Sequence, residues 1–393
     1  MTVRATETPA TAATARTTPP PHQVLLNPGP VNVHDRVRAA LAYPDVCHRE
    51  PEAAELLDAV RAKATAVCGG DERHTSVLLA GSGTAALEAV ISSVVPEGGT
   101  LLVPHNGHYA ERVASIAEAH RIPVRRLEFG WGQPIDLAAV DAALAEDATI
   151  SHVGLVHHET STGMLNPLAE LGEIVARHDR SLIVDAISTL GAEPLDVVAD
   201  HVDWCVGTAN KCLEGLPGTS FVCAPRSSLD GLSEVRPRTY YLDLRAHHVA
   251  QDRDRAPLFT PAVQALYALD VALDLTLEET VAVRSRRYRE RADRVRTHLA
   301  RHGFEPLVPD GHRASSVTVF RLPDGVEYQH LHDRLKADGF VIYGCPPRLG
   351  RVCRIATMGQ LTTDQISAFL AAFDAALDAP HPTGAATPST SRA

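Results

Sequence analysis

The stretch "DWCVGTANKCLEGLPGTSFVCAP", residues 203–225, decides how this chain folds. Two short apolar runs, 203–209 and 219–225, read as buried strands, and the small-residue loop between them carries Lys211. Surface lysines normally sit among polar neighbours. A lysine placed here has its ammonium partly desolvated, which makes its proton easier to lose and its amine a better nucleophile. The alternative is that Lys211 snorkels to solvent or pairs with a nearby acid such as Glu214.

The same pattern extends outward on both sides. Apolar runs at 75–81, 100–104, 153–158 and 181–186 also read as buried strands, with amphipathic stretches such as "TAALEAVISSVV" and "PLAELGEIVARHD" between several of them. Strand–helix–strand alternation with both sheet faces covered predicts an α/β layered domain with a mostly parallel sheet. Downstream, the segment that starts at "AVQALYALDVAL" and runs to "RTHLARHG" reads as long helices. Beyond it, "SSVTVFRL", "FVIYG" and "RVCRIAT" alternate with helical patterns and predict a smaller α+β domain. The expected division is a large domain over 23–284 and a small one over 285–378. Thr/Ala/Pro-rich tails at 1–22 and 379–393 cannot bury enough apolar surface to fold.

Composition narrows the function. The 393 residues are 45% apolar and 22% charged, which is globular, and carry a formal charge of −11. No Lys/Arg run offers a phosphate-tracking stripe, so nucleic acid is not an expected partner. Seven cysteines, an odd number without a CxxC pair, read as reduced thiols of a cytoplasmic protein, with Cys68, Cys205 and Cys223 as small core residues. No run of about 18 apolar residues suits a membrane span, and the first residues lack the apolar stretch of a secretory signal.

In an open α/β sheet, ligands sit beyond the carboxyl ends of the strands. The polar residues there form a set. After the first strand comes "GSGTAALEAV", where Ser82, Gly83 and Thr84 enter a helix whose N-terminal N–H groups suit an anion. An ordinary capping turn would read the same. After "SLIV" comes Asp185, a carboxylate in an apolar run that needs a cationic or N–H partner. Lys211 is the third. An amine, a buried acid and an anion cup together match the needs of pyridoxal 5'-phosphate: a partner for its aldehyde, a carboxylate for its ring nitrogen, and donors for its phosphate.

With those residues in hand, the chain resembles the class V, fold-type I aminotransferases, in the branch that holds alanine–glyoxylate and 2-aminoethylphosphonate–pyruvate aminotransferases. The likeness runs from "LLNPGPVNV" to "RIATMG" and is densest in "GSGTAALEA", "HNGHYAER", "HHETSTGMLNPL", "IVDAISTLGAEPLD" and "ANKCLEGLPGTSFV". It is nearest to the phosphonate enzymes. The resemblance implies a pyridoxal-phosphate enzyme that transfers an amino group between a small amine donor and an oxo acid, with ping-pong kinetics. In that reading Lys211 is the Schiff-base lysine, Asp185 partners the pyridine nitrogen, and Ser82, Gly83 and Thr84 hold the phosphate. It further implies that Tyr109 stacks on the cofactor, Thr160 contacts its surroundings, and Arg354 binds the substrate acid group. Thr260 is implied to reach the phosphate of a partner subunit's cofactor, and hence a homodimer with shared sites.

The chain departs from the pattern at "YPDVCHREPEAAELL", where His48 and Arg49 either line a substrate pocket or open a helix. Arg348 and Arg351 near Arg354 are extra charges that either assist a phosphonate or are solvated. Rival readings are an alanine or serine–glyoxylate aminotransferase and, in another reaction class, a lyase or desulfurase. A desulfurase needs a mobile cysteine, for which Cys345 is the candidate, and the two prolines after it argue against mobility.

Overall fold

The computed structural model describes residues 21–378. The expected unfolded tails lie outside the described residues except for Pro21 and His22. The main sheet has seven strands: β1 (His74–Ala80), β2 (Thr100–His105), β3 (Val124–Glu128), β4 (Ile150–Val156), β5 (Ser181–Asp185), β6 (Trp204–Thr208) and β7 (Thr219–Pro225). Their order across the sheet is β1-β7-β6-β5-β4-β2-β3. All neighbours are parallel except β7, which runs antiparallel to both β1 and β6.

Residues 203–225 therefore form the antiparallel β6–β7 pair, with Ser220 opposite Thr208. The parallel strands are near-continuous apolar runs because helices cover both faces. One face packs against helices Pro51–Val67, Leu168–Arg177 and Val263–Glu279 through Leu57, Leu171 and Leu273. The other packs against helices Gly83–Val94 and His108–Ala119 through Val90 and Val113.

The edge strand β3 has no counterpart among the runs read from sequence. Its "VRRLE" is half-exposed and carries three charges, which suits an edge but hides the alternation. The observed β4 starts three residues earlier than its apolar run.

The helical segment splits into Val263–Glu279 and Val281–Ala300, divided at Thr280, whose φ is +70°. The expected boundary at 284/285 falls inside the second of these helices. A four-stranded antiparallel sheet follows, in the order Glu305–Pro306, Val317–Arg321, Val352–Ala356, Tyr343–Gly344. The strand Val24–Leu25 pairs in parallel with Phe340–Val341, so the start of the described chain packs on this smaller unit. Leu26 is buried there with Phe304, Ile355 and Phe369.

Candidate active site

Four chain segments meet beyond the carboxyl ends of β1, β5 and β6. The turn at Gly81–Ser82 leads from β1 into helix Gly83–Val94, and its Gly81 N–H donates to the carbonyl of Gly218 at 2.9 Å. Gly83 is held to a bare Cα, because a Cβ would lie 2.5 Å from Ile187 Cδ1. Ser82 makes no side-chain cap, so the first-turn N–H groups of this helix have no hydroxyl partner.

Asp185 ends β5, 5% exposed. Its carboxylate accepts one hydrogen bond, from the Ile187 N–H at 3.1 Å. Burial pushes its pKa up to about 6, with the Glu159 carboxyl also raising it and Arg112 and Lys211 opposing.

Lys211 lies in the loop after β6, closed by hydrogen bonds from Glu214 N to the Lys211 carbonyl and from Gly215 N to the Ala209 carbonyl. Burial lowers its ammonium to about 8, and Arg354 and Arg112 act in the same direction. Its Nζ donates to the carbonyl of Pro28. Gly29 has a φ of +110°, and a Cβ there would come within 2.7 Å of the lysine stem. Glu214, considered above as a partner for the lysine, turns the other way. Its carboxylate accepts from Tyr288 Oη at 2.6 Å and Arg287 Nη2 at 3.2 Å, which anchors the lysine loop to helix Val281–Ala300.

Tyr109, Thr160 and Arg354 converge on the same place. Tyr109 is in the first turn of helix His108–Ala119. Thr160 is buried, and its Oγ1 has no hydrogen-bond partner; the same holds for His158 Nε2. Burial drives the His158 imidazole down to about 3, so it is neutral. Arg354 donates from Nε to the Gly344 carbonyl at 2.9 Å and lies 3.5 Å from the Thr160 carbonyl through Nη1.

Two residues not singled out by the sequence reading belong here. Arg112 sits 4.6 Å over the Tyr109 ring and donates to Thr84 Oγ1 at 3.3 Å. It follows Tyr109 by one helical turn, which was the available signal. Glu159 is fully buried and accepts from the N–H groups of Tyr109, Ala110 and Ser161 and from Ser161 Oγ. Lys211, Arg112 and Arg354 make no ion pair with any described carboxylate. Half-buried cations without counter-charges are costly unless an anion comes to them, so the cleft is built to receive anionic groups.

The remaining expected residues lie apart. His48 and Arg49 occupy the turn before helix Pro51–Val67, and no hydrogen bond or ion pair connects them to Lys211, Asp185 or Arg354. Thr260 is exposed between Phe259 and Pro261, which line a small, mostly apolar cavity of about 30 Å³ that Gly218 also borders. Arg348 packs its guanidinium 5.2 Å from the Trp131 ring. Arg351 is tied to Asp324 and to the carbonyls of Pro323 and Val326. The Cys345 thiol is pushed up to about 11 by burial, the reverse of what a nucleophilic cysteine requires.

The model of the family described as "Aminotransferase class-V" matches residues 14–366. The chain belongs to the class-V aminotransferase family. This class-V aminotransferase is 34% identical over 358 residues to a 2-aminoethylphosphonate–pyruvate transaminase of Klebsiella pneumoniae, covering 90% of the chain and 97% of that protein. A relative of the same name from Vibrio cholerae matches over 360 residues with the same identity and coverage. Among solved structures, the ureidoglycine–glyoxylate aminotransferase of Bacillus subtilis superposes with a TM-score of 0.87 at 27% identity, covering 92% of this chain and 94% of that one. The alanine–glyoxylate aminotransferase of a Nostoc species gives 0.87 at 27% identity, covering 93% and 98%. The class-V aminotransferase thus has the α/β architecture that its sequence predicts. No helix among the described residues is long and apolar enough to cross a membrane.

Proposed function

We propose that this aminotransferase uses pyridoxal 5'-phosphate to interconvert 2-aminoethylphosphonate and pyruvate with phosphonoacetaldehyde and alanine. The observation that carries the chemistry is the meeting of a lysine with a lowered pKa, a buried acid and unpaired arginines at the strand ends. The names of the relatives at 34% identity supply the substrate pair.

The residues present fit the cofactor. Asp185 has acceptor capacity left after its one N–H bond, which suits a protonated ring nitrogen. The unpartnered Thr160 Oγ1 and His158 Nε2 are buried polar atoms of the kind that a bound group satisfies. The uncapped turn at Ser82, Gly83 and Thr84, with Arg112 beside it, suits the phosphate. Tyr109 would lie against the ring. When bound, the cofactor supplies an aldehyde for the amino group and a ring that takes up the electron pair released at the substrate carbon.

The chain's own groups do the rest. Asp185 keeps the ring nitrogen protonated. Lys211, with a pKa of about 8, has an accessible neutral form near neutrality and takes and returns a proton at the substrate carbon. Arg354 holds the acid group of either substrate, carboxylate or phosphonate, through the guanidinium edge not committed to Gly344. Thr260, exposed in the single chain, is assigned to a partner subunit's phosphate in a twofold homodimer. His48 and Arg49 are assigned to the outer substrate pocket, and the compartment to the cytoplasm.

The likeness to glyoxylate aminotransferases at a TM-score of 0.87 supports one other reading, glyoxylate as acceptor with alanine or serine as donor. A panel of 2-aminoethylphosphonate, alanine and serine against pyruvate and glyoxylate separates the two. Alanine formed from pyruvate at the expense of 2-aminoethylphosphonate is the expected result. Turnover of serine with glyoxylate and none of 2-aminoethylphosphonate would overturn the substrate assignment. Borohydride reduction should leave a pyridoxyl group on Lys211, and a label on any other lysine would overturn the cofactor assignment.

A further inference from the structure

A cluster remote in the chain from the transaminase residues joins the two long helices of the smaller unit. His298 lies in the last turn of helix Val281–Ala300, and His302 follows four residues later, in the turn that leaves the helix. Residues four apart in this geometry point the same way. Here they point at Asp374, on the helix Thr363–Asp378. His298 Nε2 is 2.7 Å, and His302 Nε2 2.9 Å, from the same oxygen, Asp374 Oδ1.

We propose that His298, His302 and Asp374 form a binding site for a divalent transition-metal ion of the zinc class. Two imidazoles and a carboxylate are a zinc-type donor set, and the three donor atoms already lie within 4.8 Å of one another. Bonds of about 2.0–2.2 Å in a tetrahedron need donors about 3.3 Å apart. Each imidazole nitrogen must therefore draw back from Asp374 Oδ1 by a few tenths of an ångström, a movement open to side chains that are 20%, 33% and 41% exposed. On binding, each Nε2 turns its lone pair to the metal and carries its ring proton on Nδ1, so neither imidazole needs to gain charge. His298 and Asp374 line a surface cleft between the helices, from which water would complete the coordination. Arg301 lines the same cleft without an ion pair and weakens the attraction for a cation. The metal would cross-link the two helices, which neither hydrogen bond alone does covalently or at comparable strength.

The test uses the full-length holoenzyme, stripped with chelator and held in a buffer without phosphate. Zn²⁺ is titrated calorimetrically and Co²⁺ by its visible absorption, in wild type, His302→Gln and Asp374→Asn. One equivalent present in wild type, and weakened at least about tenfold in both variants, is expected. The thermal midpoint should rise with zinc in wild type and not in His302→Gln. Because the side chains are partly exposed, the metal-free variants should melt close to wild type. Identical titrations in wild type and His302→Gln, or a zinc-induced shift of the same size in both, would show an ion-paired cluster only and overturn the proposal.

Discussion

Glu159 accepts the backbone N–H of Tyr109 at 2.8 Å. It thereby fastens the strand end after β4 to the first turn of the helix that presents Tyr109 and Arg112. With Ala110, Ser161 N and Ser161 Oγ, four donors converge on this one buried carboxylate. Leaving a buried donor unpaired costs about 1–3 kcal/mol. Glu159→Ala is therefore expected to lose at least about 2 kcal/mol in urea unfolding. It should also loosen the hold on the cofactor, read as the concentration needed to restore the visible absorption band.

Gly107 precedes this helix with φ at 179°, an ordinary extended conformation, so space and not backbone strain selects glycine. A Cβ would lie 2.3 Å from Glu159 Cγ and Cδ. Gly107→Ala should destabilise the protein strongly in the wild type and much less in the Glu159→Ala background. A double-mutant cycle checks this, with a coupling above about 0.5 kcal/mol expected for groups in contact.

Asp185 sets a pH dependence. Burial raises its pKa from about 3.8 to about 6, so the charged form is disfavoured in the folded chain. Below about pH 4 the acid is neutral folded and unfolded, and there is no penalty. Between about pH 4 and 6 the unfolded chain ionises first, and stability is lost, by roughly 3 kcal/mol for a shift of this size. Asp185→Asn keeps an acceptor for the Ile187 N–H. In the cofactor-free protein it should exceed wild type in stability above pH 6 by up to that amount, with the gap vanishing near pH 4, while transaminase activity is abolished. Lys211 has the opposite sign: its penalty is present below about pH 8 and disappears as pH rises past 10.5.

Arg112 lowers both Asp185 and Lys211. Arg112→Gln should move the Lys211-linked spectroscopic pH midpoint upward. In the cofactor-free protein its thermal stability should not fall, since an uncompensated half-buried charge is removed and no ion pair is lost.

Arg354 is tested differently. Arg354→Lys keeps the charge but loses the planar fork, and charge-assisted hydrogen bonds are worth about 1.5–3 kcal/mol. Its kcat/KM should fall about 10- to 150-fold, chiefly through KM, for both 2-aminoethylphosphonate and alanine.

The strands around Asp185 and Lys211, their place at strand ends and the turn at Ser82–Thr84 were legible because each is a local signal: an apolar run followed by an unusual polar residue. Edge strand β3 was not, because one face meets water and its arginines break the apolar run. Arg112 and Glu159 stood within noticed motifs, and the one local signal was the spacing of Arg112 one helical turn after Tyr109. Their roles arise from the Tyr109 ring, Thr84 and the helix terminus that the fold brings beside them.

By itself the sequence determined the layered α/β architecture and the placing of a buried acid and a lysine at strand ends, since burial and strand periodicity act over a few residues. Only the tertiary structure decided that Glu214 turns away from Lys211 to Tyr288, 74 residues on, and that the Pro28 carbonyl takes the amine instead. It also decided that the first strand of the described chain, Val24–Leu25, pairs with Phe340–Val341, more than 300 residues on, and packs on the smaller unit. These choices rest on which groups can be satisfied at once when distant segments pack, and no local pattern encodes that.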